Sequence, residues 1–563
     1  MASLVKETTN GADPRVEKPA NWAPILDQPI NTPRKLRVVC VGAGFGGLSL
    51  AYEIQHTSDW GSFLELQIYD KNPDIGGTWY ENRYPGAACD VPSHVYVFPF
   101  EPNPDWSSYY AGSAEIFQYI KKTAAKWALD KFVSLNSTVT DTTWNEDSCK
   151  WRIKIVQEGR VIEDECDILV SASGLFNKWS WPDIDGLHSF KGKLLHTADW
   201  DTSYDWTGKK VAVIGNGSSA IQVVPKVRKT AKELVNYFRN PTWVVPNLLQ
   251  DVAEHGITQY SEERKKEFRE NPESYFKFRK NIENNFNKFF LAMINGTPKQ
   301  KEMEIGARMI MEGRLGNDPE LIKRFVPTFN VGCRRLSPGD GYLEALQESN
   351  VRSISDPIIK VTENGILTAD GEENFDLIVA ATGFDYSFRP KWNQVGRNGA
   401  RLREMWKEDA TSYFGMCAVD QPNYFIYTGP NAPVSHGNSL LYSMQVMTSY
   451  ILRWCRKIAT QDIRSVSVKA SIVDDLDVWS QASLQRTVWA GECRSWFKGG
   501  KVSGKITSLH AGSGLHYRAA LDEIRGEDFE IAYWSPNRFR YLGNGLTKAE
   551  VDGDEELAFY LVK

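Results

Sequence analysis

Two glycine-rich turns constrain this chain more than anything else in it. Leu36-Arg37-Val38-Val39-Cys40-Val41 is apolar almost throughout and reads as a strand buried on both faces. It runs into Gly42-Ala43-Gly44-Phe45-Gly46-Gly47, and the helical pattern of Leu48 to Gln55 comes next. Lys209-Lys210-Val211-Ala212-Val213-Ile214 runs in the same way into Gly215-Asn216-Gly217-Ser218-Ser219-Ala220-Ile221-Gln222. In each turn the first glycine permits the bend and the second lets the backbone approach a pyrophosphate. The third small residue (Gly47, Ala220) lets helix and strand pack closely, and the helix N-terminus faces the anion. One such turn is weak evidence; two, each between strand and helix, imply an α/β chain with two Rossmann-like dinucleotide-binding units.

The strand after each turn separates the two units. The strand Leu64 to Tyr69 ends at Asp70, placed to bond a ribose hydroxyl, and the Thr57–Phe63 loop lengthens the usual spacing. The strand Leu234 to Phe238 ends instead in Arg239, which suits a 2′-phosphate and so favours NADPH over NADH. Asp167 to Gly174 and Phe375 to Gly383 are a second matched pair, each an apolar strand ending in small residues. The chain therefore reads as a coarse internal duplication.

With 563 residues it is too long for one core. The expected division is an arm over 1–34, a first FAD part over 35–180, an NADP domain over 181–389 with a helical insertion at about 248–327, and a returning FAD part over 390–563. A net charge of −5 gives no reason to expect nucleic acid or an anionic membrane as partner. No apolar run approaches the ~18 residues of a membrane span, and Met1 to Arg34 carries no signal pattern. The eight cysteines contain no C-x-x-C pair, which argues against zinc, a thioredoxin-like centre or a disulfide framework. A reducing, cytoplasmic setting is the expectation.

Two further stretches narrow the function. Gly76-Gly77-Thr78-Trp79-Tyr80-Glu81-Asn82-Arg83-Tyr84-Pro85-Gly86, with Asp90 after it, leaves the first strand pair, where such folds bind ligands. Phe190-Lys191-Gly192-Lys193-Leu194-Leu195-His196-Thr197-Ala198-Asp199-Trp200-Asp201 precedes the second glycine turn. Together they resemble the signatures of class B flavin-dependent monooxygenases, and the Trp200-Asp201 ending resembles the Baeyer–Villiger branch of fungal secondary metabolism. The resemblance runs from about Arg37 to Gly545.

The resemblance implies FAD on the first unit, against Gly42, Gly44, Phe45, Gly47, Asp70, Lys71, Gly77, Thr78, Trp79, Tyr84, Asp90 and Tyr96. It implies NADPH on the second, against Gly215, Gly217, Ser218, Ser219, Gln222, Arg239 and Arg334. His196 and Trp200 would sit behind the nicotinamide domain rather than touch substrate. Within Phe329 to Tyr342 the second of two basic residues, Arg335, would be the catalytic arginine, steadied by Asp90. The implied chemistry is a C4a-peroxyflavin attacking a bulky natural-product ketone with O2-derived oxygen to give an ester or lactone. A permanently charged guanidinium stabilises both the peroxide and the tetrahedral oxyanion.

The remaining expectations are weaker in pattern. Tyr260, Phe268, Tyr275, Phe278, Ile282, Phe286 and Phe290 have the spacing of amphipathic helices packed on the second domain. Asn423 to Pro433 resembles the segment where the chain returns to the flavin, with the backbone near Gly429 and Asn431 against the ring and Ser435 and His436 lining a pocket. Tyr533 to Asn537, with Trp534, corresponds loosely to a loop closing over NADP and substrate. The rival reading is an N- or S-oxidising flavin monooxygenase.

Overall fold

In a computed structural model the fold is described for residues 18–245, 259–435, 439–553, 556–558 and 560–561. The start of the expected insertion and His436 lie outside these residues.

Two five-stranded, all-parallel sheets organise the chain. The first contains β1 (Leu36–Val41), β2 (Leu64–Tyr69), β3 (Val133–Ser134), β4 (Ile168–Ser171) and, much later, β10 (Tyr424–Ile426), in the order β10-β4-β1-β2-β3. The second contains β5 (Lys193–His196), β6 (Lys210–Ile214), β7 (Glu233–Tyr237), β8 (Val351–Ile354) and β9 (Leu377–Ala380), in the order β8-β7-β6-β9-β5. In both, the strand before the glycine turn is central, with the ribose-side strand on one flank and the small-residue strand on the other. The duplication read from the sequence is therefore one of topology.

The central strands are sealed on both faces: Val39 and Cys40 in β1, and Val211, Ala212 and Val213 in β6, have no exposed surface. Helix α1 (Phe45–His56) covers the first sheet with Leu48, Leu50 and Ala51 buried, and α2 (Ser218–Val227) covers the second with Ala220, Ile221 and Val224 buried. A four-stranded sheet of Ser137–Asn145, Lys150–Gln157, Arg160–Cys166 and Asn393–Val395 packs on the first unit through Trp144, Trp151 and Ile153.

The insertion is helical, comprising α3 (Glu262–Glu270), α4 (Pro272–Lys288) and α5 (Pro298–Arg314). Each starts on a side-chain cap, Ser261, Asn271 and Thr297 respectively, with proline at the first helical position of the last two. Tyr260, Phe268, Tyr275, Ile282 and Phe286 are buried, so the aromatic stripe is core. The chain then returns through α6 (Leu440–Thr460), which packs against α1. Among the described residues no helix is long and apolar enough to cross a membrane.

Two expectations fail here. Cys333 and Cys493, 160 residues apart, form a disulfide with a Cα–Cα distance of 6.4 Å. Spacing along the chain could not reveal a pair that only the tertiary fold brings together; the other six cysteines are free and buried. Trp534 does not reach the large cavity between the two sheets. Its strand, Phe529–Tyr533, pairs antiparallel with Ile463–Val468, and its indole is 42% exposed beneath the Arg34 guanidinium.

Candidate active site

The carboxyl ends of both parallel sheets open into one cavity of about 1820 Å³. A single-ligand site typically occupies roughly 300–1,000 Å³, so this space is large enough for two dinucleotides and a substrate. The two glycine turns form opposite parts of its wall and are built alike. Gly42 has φ +114° and Gly215 φ +121°. A Cβ at Gly42 would stand 2.5 Å from the Ala172 carbonyl oxygen, and one at Gly215 would stand 2.4 Å from that of Ala381. Neither position tolerates a side chain.

The helices behind these turns begin on Gly44 and Gly217, with no side-chain cap and no acidic residue in the first turn. Their leading N–H groups and positive dipole ends therefore face the cavity uncompensated, in contrast to the capped insertion helices. That is the donor set a pyrophosphate requires.

On the first unit Gly42, Gly44, Phe45, Asp70, Lys71, Gly77, Thr78, Trp79, Tyr84, Asp90 and Tyr96 line the cavity. Asp70 accepts from the Ala43 N–H at 2.7 Å and the Asn72 N–H at 2.8 Å, which tie the acid to the glycine turn. Lys71 pairs with Glu81 at 2.8 Å. The Trp79 indole N–H donates to the Tyr96 hydroxyl at 3.2 Å, and the Tyr96 ring packs edge-on to Phe45. On the second unit Gly215, Gly217, Ser218, Ser219, Gln222, Arg239 and Arg334 line the same cavity. Burial lowers the Arg334 pKa, and the neighbouring Arg239 charge lowers it further.

Tyr84 and Gln222 are among the contacts that join the two units. The Tyr84 hydroxyl donates to Gln222 Oε1 at 2.7 Å, and Gln222 Nε2 donates to the Ala88 carbonyl at 3.1 Å. Both residues read from the sequence as cofactor contacts thus also bind each other across the two sheets. Burial pushes the Tyr84 phenol up to about 12, so it remains a donor at physiological pH.

Arg335 lies beside this junction. Its Nε donates to Asp90 Oδ2 at 2.6 Å and its Nη2 to Asp90 Oδ1 at 2.8 Å. Nη1 donates to the Val434 carbonyl at 3.0 Å and to Ser435 Oγ at 3.2 Å. Burial alone would raise the Asp90 pKa, but the Arg335 charge and hydrogen bonds more than offset it and leave it below its ordinary value. Burial likewise lowers the Arg335 pKa, and Asp90 overrules it and raises it. Both groups stay charged, and about a quarter of the arginine side chain is left open to the cavity.

Some expected residues lie elsewhere. Gly47 packs beneath the turn, where a Cβ would stand 2.1 Å from the Gly42 carbonyl oxygen. Asn431 does not line the cavity: its amide donates to the Ile506 and Leu509 carbonyls at 3.0 Å and holds that loop. Gly429 packs on Gly415, and Thr428 is the member of this segment that reaches the wall. His196 ends the edge strand β5 of the second sheet, its ring stacked on Trp179 and its Nδ1 accepting from the Ala198 N–H. Burial lowers its pKa to about 4, so it is neutral near pH 7.

Two further segments wall the cavity. Phe286, Phe289 and Met293 come from the insertion, and Arg494, Ser495, Trp496 and Lys501 from a C-terminal loop.

Paired dinucleotide folds sharing one cavity, with an ion-paired arginine where they meet, define a flavin-dependent monooxygenase. The chain belongs to this family, within its Baeyer–Villiger branch. Residues 35–291 match the model of the flavin-binding monooxygenase-like family. The chain is 47% identical over 96% of its length to the FAD-binding monooxygenase tazF of Aspergillus terreus, covering 97% of that protein. It is 32% identical to a Baeyer–Villiger monooxygenase of Pseudomonas aeruginosa, over 88% of this chain and 92% of that one. Among solved structures it resembles OTEMO in complex with FAD and NADP, with a TM-score of 0.76 and 25% identity over 89% of this chain and all of that one. Cyclohexanone monooxygenase from Rhodococcus sp. Phi1 bound to NADP+ aligns with a TM-score of 0.74 at 26% identity, with the same coverage.

Proposed function

We propose that the chain is an NADPH- and O2-dependent monooxygenase that inserts oxygen beside the carbonyl of a bulky ketone, giving an ester or lactone. FAD would lie along α1 and the Gly76–Asp90 loop, and NADPH along α2 with its 2′-phosphate between Arg239 and Arg334. Bound FAD, with NADPH as the hydride donor, would supply the electrons that activate O2.

The chain's own residues do the rest. The uncapped starts of α1 and α2 hold the two pyrophosphates. Arg335, fixed in direction by Asp90, presents a guanidinium that cannot give up its proton to the negative charge developing on oxygen. Phe286, Phe289, Met293, Leu441, Met444 and Trp489 supply apolar wall that excludes water and accepts a large carbon skeleton.

The observation that carries this reading is the two-point Arg335–Asp90 pair on the cavity wall. The test is product analysis with NADPH, O2, a panel of polycyclic ketones and an aryl thioether. An ester or lactone with one atom from labelled O2 supports the reading. Sulfoxide from the thioether with every ketone untouched replaces it by heteroatom oxidation.

A further inference from the structure

The disulfide occupies a place in the site that packing alone does not require. Cys333 is two residues before Arg335 and one before Arg334. Cys493 immediately precedes Arg494, Ser495 and Trp496, all in the cavity wall. The bond therefore ties the segment carrying the cations to the C-terminal loop facing them. Arg335 itself stands in irregular backbone, ahead of the two-residue strand Ser337–Pro338. The cystine at Cys333 and the strand Ser337–Pro338, paired with Val244–Val245, flank Arg335 two residues to either side.

Burial restrains exchange at this bond, and a neighbouring cation favours it. Cys333 is fully buried and Cys493 is 3% exposed, so both sulfurs are shielded from bulk solvent. Lys498, 2% exposed, donates to the Gly491 carbonyl, and its ammonium lies 4.0 Å from Cys493 Sγ. Burial holds the Lys498 pKa below its ordinary value, with partial relief from Glu492. A buried cation beside one sulfur stabilises the thiolate that leaves when the bond breaks and attacks when it re-forms. No such partner is needed by an inert cross-link.

We propose that Cys333–Cys493 is a redox-active cystine that positions Arg335, so that the thiol state of the enzyme sets how tightly NADPH oxidation is coupled to oxygen transfer. This rests on the role proposed for Arg335 in oxygen transfer. In the reducing step a dithiol thiolate attacks Cys333 Sγ, the S–S bond breaks, and its electron pair leaves on Cys493 Sγ beside Lys498. The second thiol of the reagent then displaces Cys333 as thiolate. The protein ends with two thiols and the reagent with one disulfide, a two-electron exchange; oxidised glutathione reverses it. The shielding of the sulfurs means that exchange proceeds when the Arg494–Lys501 wall lifts.

The test uses the flavin-loaded enzyme with and without dithiothreitol. Alkylation of the native protein and then non-reducing peptide mapping identify the pair. The functional readout is peroxide released per NADPH without any ketone, which needs no known substrate. Reduction is expected to raise it on the order of tenfold, as a loosened catalytic group would. Cys493→Ser should match the reduced wild type and ignore dithiothreitol. Lys498→Gln should keep the cystine but slow its reduction. A cross-link with only a structural role would lower the thermal midpoint on reduction and leave peroxide release unchanged, which overturns the proposal. Recovery of all eight thiols after treatment with oxidised glutathione also overturns it. If the variants do not fold, reduced and reoxidised wild type give the same comparison. Ketone turnover by the oxidised enzyme reports separately on the proposed oxygen insertion.

Discussion

Arg335 and Asp90, 245 residues apart in the chain, face each other through two parallel hydrogen bonds of 2.6 and 2.8 Å. The carboxylate takes up two of the five guanidinium donors and so fixes the plane of the group. Replacing Arg335 by Ala is expected to lower ketone oxygenation by at least the order of 10²–10³ seen on removing one fixed donor. NADPH oxidation should continue, with peroxide as its product. Asp90→Asn should show the same split to a smaller degree, because the cation remains but its direction is free. Parallel assays of ester, peroxide and NADPH check both; equal loss of all three would refute this division of labour.

Arg239 and Arg334 are close enough to depress the pKa of one of them. That repulsion is relieved when a phosphate dianion binds between them. A charged hydrogen-bonded pair contributes about 1.5–3 kcal/mol, so each alanine variant should raise the KM for NADPH roughly 10- to 100-fold. The KM for NADH should hardly move. Steady-state kinetics with both coenzymes decides it, and an equal effect on the two would remove the 2′-phosphate assignment.

Gly42 and Gly215 offer a matched pair of tests. Each has positive φ and a carbonyl oxygen within 2.5 Å of where a Cβ would be. Gly42→Ala should yield protein with little bound flavin, read from the ratio of flavin to protein absorbance. Gly215→Ala should keep the yellow colour and lose affinity for NADPH. A yellow Gly42→Ala protein would show that the first turn does not cradle the flavin.

Glu283 on α4 gives a pH test. Burial raises its pKa from 4.5 to about 7, partly relieved by Arg279 and by the Ser439 N–H at the start of α6. Because the folded pKa is the higher one, between pH 4.5 and 7 the folded state holds more protons than the unfolded state. Stability from this group is full below pH 4.5 and is lost as pH rises towards 7. Glu283→Gln should raise the thermal midpoint by a few degrees at about pH 8 and change it far less at about pH 5. Calorimetry at the two pH values measures the difference.

Sequence carried the site wherever chemistry is local. The glycine turns, the strands feeding them, Arg239 at a strand end and the Asp90 and Arg335 segments are each readable within a short stretch of chain. The features that escaped it depend on packing between distant segments. Cys333 meets Cys493 only because the loop carrying Arg335 and the C-terminal loop share a wall. The Asn431 side-chain amide holds the Ile506 and Leu509 carbonyls, a contact that the local Asn423–Pro433 pattern does not show. Trp534 resembled a closing loop, but its strand is committed to Ile463–Val468, and Trp496 stands at the cavity instead.

Helices α1 and α2 begin without a side chain to satisfy their first N–H groups, whereas the insertion helices each bring their own. Until a pyrophosphate arrives, those two leading turns have only water to bond. Protease cuts near Gly44 and Gly217, fewer once cofactor is bound, would report how much of a preparation had acquired its ligands.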